Sequence, residues 1–168
     1  GTRSEENAEK SLLLYRDSFG EALIPLLSTN LGRAVYSQEF PYNLELNGES
    51  YGMIMIELVE RNIPNLLTGA PLMQASEKQL PTDAVSVSCT ANAQKRSGFT
   101  QLYGSIAAYP AAERIYIEVA CTDGAVRVYE AFPMNASGDA DPAWESASGY
   151  LLTLPEGIEG EVSGAYIG

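Results

Sequence analysis

Residues 11–27 read SLLLYRDSFGEALIPLL, and the change of hydrophobic period inside them decides the fold of the first part of the chain. Residues 11–15 (SLLLY) form a nearly continuous apolar run, as a strand buried on both faces of a parallel sheet would. Asp17 and Ser18 end that run. From Phe19 onward the apolar residues recur at helical spacing, with Phe19, Ala22, Leu23, Leu26, Leu27 and Leu31 on one face. Ser18 and Glu21 have the S-x-x-E spacing of a capping box at the helix start, and Gly32 is a fitting stop. Pro25 lies inside the helix and predicts a kink.

Working outward, residues 33–40 (RAVYSQEF) are a second strand candidate. Residues 41–51 are polar, with a turn signal at Asn47-Gly48. Residues 52–58 (GMIMIEL) are a third apolar run, and residues 59–67 (VERNIPNLL) predict a short helix bent or delayed by Pro64. The order β-α-β-loop-β-α predicts part of a parallel sheet, an incomplete α/β layer over residues 1–70. Gly69, Pro71 and Pro81 mark a boundary, with residues 71–82 read as a linker. An incomplete sheet leaves an exposed edge, which predicts a tendency to form a homodimer through it.

The pattern beyond residue 82 is all-β. Val85, Val87 and Cys89 alternate with Ser86, Ser88 and Thr90; Ile115, Ile117 and Val119 alternate with Tyr116, Glu118 and Ala120. Further runs cover residues 99–109, 125–132, 148–154 and 161–167, and Asp123-Gly124 is a tight-hairpin signal. Short strands separated by turn signals predict a β-sandwich over residues 83–168.

The composition narrows the function classes. The chain has 168 residues, 45% hydrophobic and 19% charged, which suits a globular protein with a core. Lys and Arg total 10 against 22 Asp and Glu, a net charge of −12, so nucleic acid is not an expected partner. Anionic lipid is an equally poor match. The chain contains no histidine at all. A Ser-His-Asp or Cys-His site cannot be built from it alone, nor a His-ligated metal site. Two cysteines are too few for a Cys-only zinc site, and no metal or cofactor is expected. The first residues, GTRSEE, hold no apolar signal core, and Gly1 reads as a tag scar.

Ser18 is the first candidate for chemistry. A serine at a strand-to-helix turn, at the carboxyl end of a parallel sheet, projects into the usual ligand crevice. The Asp17-Ser18-Phe19 turn would supply either oxyanion-binding N–H groups or only the turn itself. The competing assignment is structural: Ser18 as a helix cap satisfied through the capping box with Glu21.

Residues 12–27 (LLLYRDSFGEALIPLL) resemble the serine block of SGNH-hydrolase-like proteins of the bacterial cell envelope. The nearest kinds are the alginate O-acetyltransferase type and the related proteins named for an Asp-His-His-Trp motif. Those have an apolar strand, then Asp-Ser-Phe or Asp-Ser-Tyr, then a helix with a proline after a few apolar residues. Residues 54–61 (IMIELVER) are similar to the family's following strand and helix, so the resemblance spans roughly residues 11–67. It implies an SGNH-like sheet with Ser18 as nucleophile of an acetyl-ester reaction, a histidine taking its proton and an aspartate orienting that histidine. In this family the Asp and His come from a segment upstream of the serine. Classical members carry glycine where this chain has Arg16. The resemblance therefore implies the C-terminal part of a larger envelope protein, which acts in acetyl transfer or deacetylation of polysaccharide when intact and is inactive as this chain. It also implies an extracellular or envelope location, with polysaccharide or an envelope protein as partner. The alternative is a non-catalytic carbohydrate- or protein-binding module.

Three weaker signals lie in the β region. Cys89 and Cys121 both occupy strand positions, as a disulfide or as two buried thiols. Tyr103, Tyr109, Tyr116, Tyr129, Tyr150, Tyr166 and Trp144 all lie beyond residue 100 and could stack on sugar rings, with Tyr116, Tyr129 and Trp144 the leading candidates, against the plain expectation that tyrosines favour strands. Asp139 and Asp141 with Asn135 could offer oxygen ligands to calcium or form a solvated loop, and Asn135-Ala136-Ser137 fits a glycosylation acceptor.

Overall fold

The computed structural model describes residues 10–45, 49–107, 114–135 and 148–168. Asn47-Gly48, Tyr109, Asp139, Asp141, Trp144 and most of the glycosylation triplet fall outside them.

The first part is a three-stranded parallel sheet in the order β2-β1-β3, with β1 at Ser11–Arg16, β2 at Arg33–Ser37 and β3 at Met53–Glu57. Leu13 lies beside Val35 on one neighbour and Ile54 on the other. The central strand is buried on both faces, with Leu12, Leu13, Leu14 and Tyr15 all nearly inaccessible. Leu13 and Tyr15 pack with Tyr42, Val35, Leu44, Tyr51, Leu58 and Leu66. The Tyr15 hydroxyl donates to the Asn43 carbonyl at 2.6 Å, which pins the β2–β3 connection over that face.

The single kinked helix expected over residues 19–31 is three short pieces. Phe19–Leu23 is 3₁₀, α1 is Ile24–Leu27, and Ser28–Asn30 is 3₁₀ again. Pro25 sits in the first turn of α1, where it costs no hydrogen bond, so the chain restarts a helix there instead of kinking one. The expected apolar face is not fully covered: Phe19 is 58% and Leu26 74% exposed. Residues Glu60–Leu67 are likewise 3₁₀ with Pro64 inside. β3 pairs only with β1 among the described residues, and its Met53, Ile54 and Ile56 are exposed.

The larger sheet is antiparallel. Its strands are β5 (Val85–Ser86), β6 (Asn92–Arg96), β7 (Phe99–Ser105), β8 (Ile115–Cys121), β9 (Val126–Met134), β10 (Gly149–Thr153) and β11 (Gly160–Ile167), in the order β5-β11-β8-β9-β10-β7-β6. The two ends of that order are consecutive in the chain. Val85 and Ser86 pair with Ile167 and Tyr166, while Cys89 bridges Ile106 and the Thr90 N–H donates to the Ser105 carbonyl. One bent segment thus joins both ends, and the sheet closes on itself. In place of the two stacked sheets expected, there is a barrel whose interior holds Leu102, Ile115, Ile117, Val119, Tyr129, Tyr150, Leu152 and Ala165. Closure removes the free edges that an open sheet would carry. The Asp123-Gly124 hairpin forms as its sequence predicts, with Gly124 at φ 85°. Ser97-Gly98, also at positive φ, turns β6 into β7.

The segment read as a linker is strapped to both parts. Leu72 exchanges backbone bonds with Tyr42 and Leu44, the Ala75 N–H donates to the Thr153 carbonyl, and β4 (Glu77–Lys78) pairs with β9. Leu67, at the end of the first part, is fully buried in the barrel's core, and its carbonyl accepts the Asn135 N–H at 2.7 Å. No helix among the described residues is long and apolar enough to cross a membrane.

Candidate functional site

Strand order 2-1-3 means that the chain leaves β1 to one side and later returns to the other. The crevice outside the carboxyl end of β1 is therefore the switch point where ligands sit in open parallel sheets. Asp17 and Ser18 are the first residues beyond that end. They line an open cleft of about 350 Å³ with Arg16, Gln38, Phe40, Tyr42, Leu58, Asn62 and Asn65.

Asp17 organises this turn. Its Oδ1 accepts the Phe19 N–H at 2.8 Å, and its Oδ2 accepts the Val59 N–H at 2.9 Å and the Asn62 amide at 3.3 Å. One carboxylate thereby ties the end of β1 to the start of the segment that follows β3. The Val59 N–H, helped by the Phe19 and Gly20 N–H groups and the Asn62 amide, holds the Asp17 carboxyl below its ordinary range. Asp17 is therefore an ionised acceptor at neutral pH.

The capping box does not form. Ser18 itself has helical backbone angles and makes no side-chain cap bond; the residue before it caps the turn instead. Carboxylates bind helix-start N–H groups more strongly than hydroxyls, and Asp17 reaches them first. The Ser18 hydroxyl is left exposed at the cleft, with no hydrogen bond among the described residues. Of the two roles weighed for Phe19, the turn is the one observed: its N–H is directed at Asp17, not at a site beside Ser18.

The rest of the cleft was not legible from local motifs. Asn62 is 45 residues from Asp17, and Gln38, Phe40 and Tyr42 come from the segment that follows β2, the first two from residues expected to continue the strand. Burial pushes the Tyr42 phenol up, and the nearby Asp17 and Glu57 carboxylates add to that, so it stays protonated. Behind the turn, Arg16 and Glu57 lie side by side across β1 and β3. Arg16 Nε and Glu57 Oε2 are buried without hydrogen-bond partners among the described residues. Gly20 packs directly on the Glu57 carboxylate, and a Cβ there would also come within 2.8 Å of the Arg16 Cβ. Glycine is therefore required where the helical turn crosses the sheet.

Chemically the cleft offers an unspent hydroxyl, amide and guanidinium donors and an ionised carboxylate. It offers no imidazole, because the sequence has none. Asp17 already accepts three hydrogen bonds and is held ionised, which makes it a weak proton acceptor for a serine hydroxyl.

The remaining candidates do not join this site. Cys89 and Cys121 are free thiols, not a disulfide. Cys89 pairs with Ile106 near the end of β7, whereas Cys121 ends β8 against β11, on strands that are not neighbours. Burial alone raises the Cys89 thiol. Tyr129 is buried in the barrel interior and Tyr116 is also buried, so neither presents a ring for stacking. Strand alternation could have separated Tyr129 from exposed tyrosines, because it shares a face with buried Ala131. Trp144, Asp139 and Asp141 lie outside the described residues. No protein-family model, curated protein or solved structure matches the chain.

Proposed function

We propose that residues 11–67 form the serine half of an SGNH-type site for acetyl transfer or deacetylation of polysaccharide in the cell envelope. The observation that carries the reading is the unspent, exposed Ser18 hydroxyl at the carboxyl end of the central parallel strand, on a turn fixed by Asp17. Ser18 is the nucleophile, and the proton acceptor it needs is not among these 168 residues. The chain alone therefore turns over no ester. Its activity requires an imidazole supplied by other polypeptide, which would take the Ser18 proton as the hydroxyl attacks the acetyl carbon and return it to the sugar oxygen as the ester C–O bond breaks, leaving the acetyl group on Ser18 for water or a second hydroxyl to accept.

Added imidazole tests this by standing in for the missing base. Hydrolysis of p-nitrophenyl acetate at rising imidazole concentration is compared between the chain and its Ser18→Ala variant. The reading predicts a rate above the free-imidazole background that the variant lacks. Identical rates for the two proteins at every concentration would overturn it. That result would favour the second reading, a non-catalytic binding module, for which the complete lack of histidine already speaks.

A further inference from the structure

The barrel carries a second cleft, also of about 350 Å³, at the β6–β7–β10 face. This falls at the lower end of the roughly 300–1,000 Å³ of small-molecule sites. Register places its groups. Asn92 on β6 lies directly opposite Tyr103 on β7, and Tyr103 lies directly opposite Leu151 on β10. Directly opposed residues of an antiparallel pair share a face, so an amide, an aromatic ring and an aliphatic side chain stand in one row. The next wall is the Thr90–Ser105 hydroxyl pair, 2.8 Å apart, with the Ser105 N–H also held by Thr90 Oγ1. Gly104, Met134, Asn135, Tyr150 and Leu151 complete the lining.

Three features of this cleft point to one ligand chemistry. Tyr103 is among the exposed large hydrophobic residues, unlike buried Tyr116, Tyr129 and Tyr150. The Tyr103 hydroxyl and the Asn92 amide make no side-chain hydrogen bond among the described residues, so both remain available to a ligand. Every described residue lining the cleft is uncharged, in a chain whose net charge is −12. An aromatic face suits the slightly positive C–H edges of a pyranose ring, and an adjacent amide can donate to one hydroxyl and accept from another. A cleft whose described lining holds no cation, in a chain of net negative charge, disfavours carboxylated or sulfated sugars.

We infer that the Tyr103–Asn92–Leu151 cleft binds a neutral sugar ring of a polysaccharide. The inference holds independently of the role of Ser18, since the cleft lies on the barrel and shares no residue with the Ser18 crevice.

Calorimetric titration with neutral tetrasaccharides of glucose and of N-acetylglucosamine, and with tetragalacturonate as the anionic counterpart, tests it. At least one neutral probe is expected to bind, at least tenfold more weakly to Tyr103→Ala and to Asn92→Ala, with tetragalacturonate showing no heat of binding. Both substitutions are at exposed strand positions, and unchanged circular dichroism would show that the variants fold. Binding that both variants retain, preference for tetragalacturonate, or no binding of either neutral probe would overturn the inference. The readout is the heat of saccharide binding and its loss in the barrel variants, not ester hydrolysis, which separates this test from that of the acetyl-ester site.

Discussion

Truncating Leu67 to alanine tests whether the parallel sheet and the barrel are one cooperative unit. Leu67 ends the first part, yet its side chain is fully buried in the barrel's core with Leu102, Tyr129 and Leu152. Removing a fully buried leucine side chain costs about 2–5 kcal/mol, made up of lost transfer energy and the cavity left behind. A mid-range loss of about 3 kcal/mol lowers the melting temperature by roughly 6–12 °C in a protein of this size, at about 2–4 °C per kcal/mol. Leu26→Ala is the control: that side chain is 74% exposed, so its loss stays within about 0.5 kcal/mol. Urea unfolding followed by far-ultraviolet circular dichroism measures both. The expected result is a single transition with a lower midpoint for Leu67→Ala. A shift no larger than that of Leu26→Ala would refute the docking of the two parts through this residue.

Other consequences concern the barrel, the alkaline limit and the open edge. Gly104→Ala would put a Cβ onto the Thr90 carbonyl oxygen, where the bent segment closes the barrel; the variant should be far less stable in urea than Gly98→Ala, whose Cβ meets open space. Gly98→Ala is strained only by its positive φ, and equal losses would contradict the closure. Burial raises the Tyr150 phenol to about 12, above its ordinary value of 10.0. Its contribution is therefore complete below pH 10 and lost as the pH rises through about 12. Tyr150→Phe, which also loses the bond to the Thr90 carbonyl, should be slightly less stable at neutral pH and show a flatter stability curve at alkaline pH. Curves that stay parallel from pH 10 to 12 would refute this. The edge of β3 that has no partner strand among the described residues, with Met53, Ile54 and Ile56 exposed, should pair with a second copy. Sedimentation at moderate salt should detect a dimer that Ile54→Lys abolishes, and a monomer at all concentrations would refute the pairing.

The parallel sheet was legible because burial on both faces leaves a continuous apolar run, and SLLLY has no other economical use. The β strands were legible through alternation, as at Ile115, Ile117 and Val119. Barrel closure was not, because it depends on which strands the ends of a sheet meet, and the Cys89–Ile106 bridge carries no local signature. Linker composition misled for a similar reason: Gly69, Pro71 and Pro81 mark turns, but Leu72, Ala75 and Glu77 between them find partners far along the chain. At the candidate site, Ser18 was found by its place after a strand. Asp17 was legible as part of the turn but not as its cap, because the choice between a serine cap and an aspartate cap turned on the Val59 and Asn62 partners. Exposed Tyr103 could not be told from buried Tyr116 and Tyr129 in the sequence, since residue type alone does not say which side of a closed sheet a tyrosine faces.

The most direct test of the central claim is covalent. The chain is treated with a fluorophosphonate, with and without imidazole, and the adduct is located by mass spectrometry of its peptides. A reachable but unactivated nucleophile predicts an adduct on Ser18 with imidazole and none without it. An adduct on Ser18 without imidazole would mean that the chain already holds a base, and none under either condition would mean that Ser18 is no nucleophile.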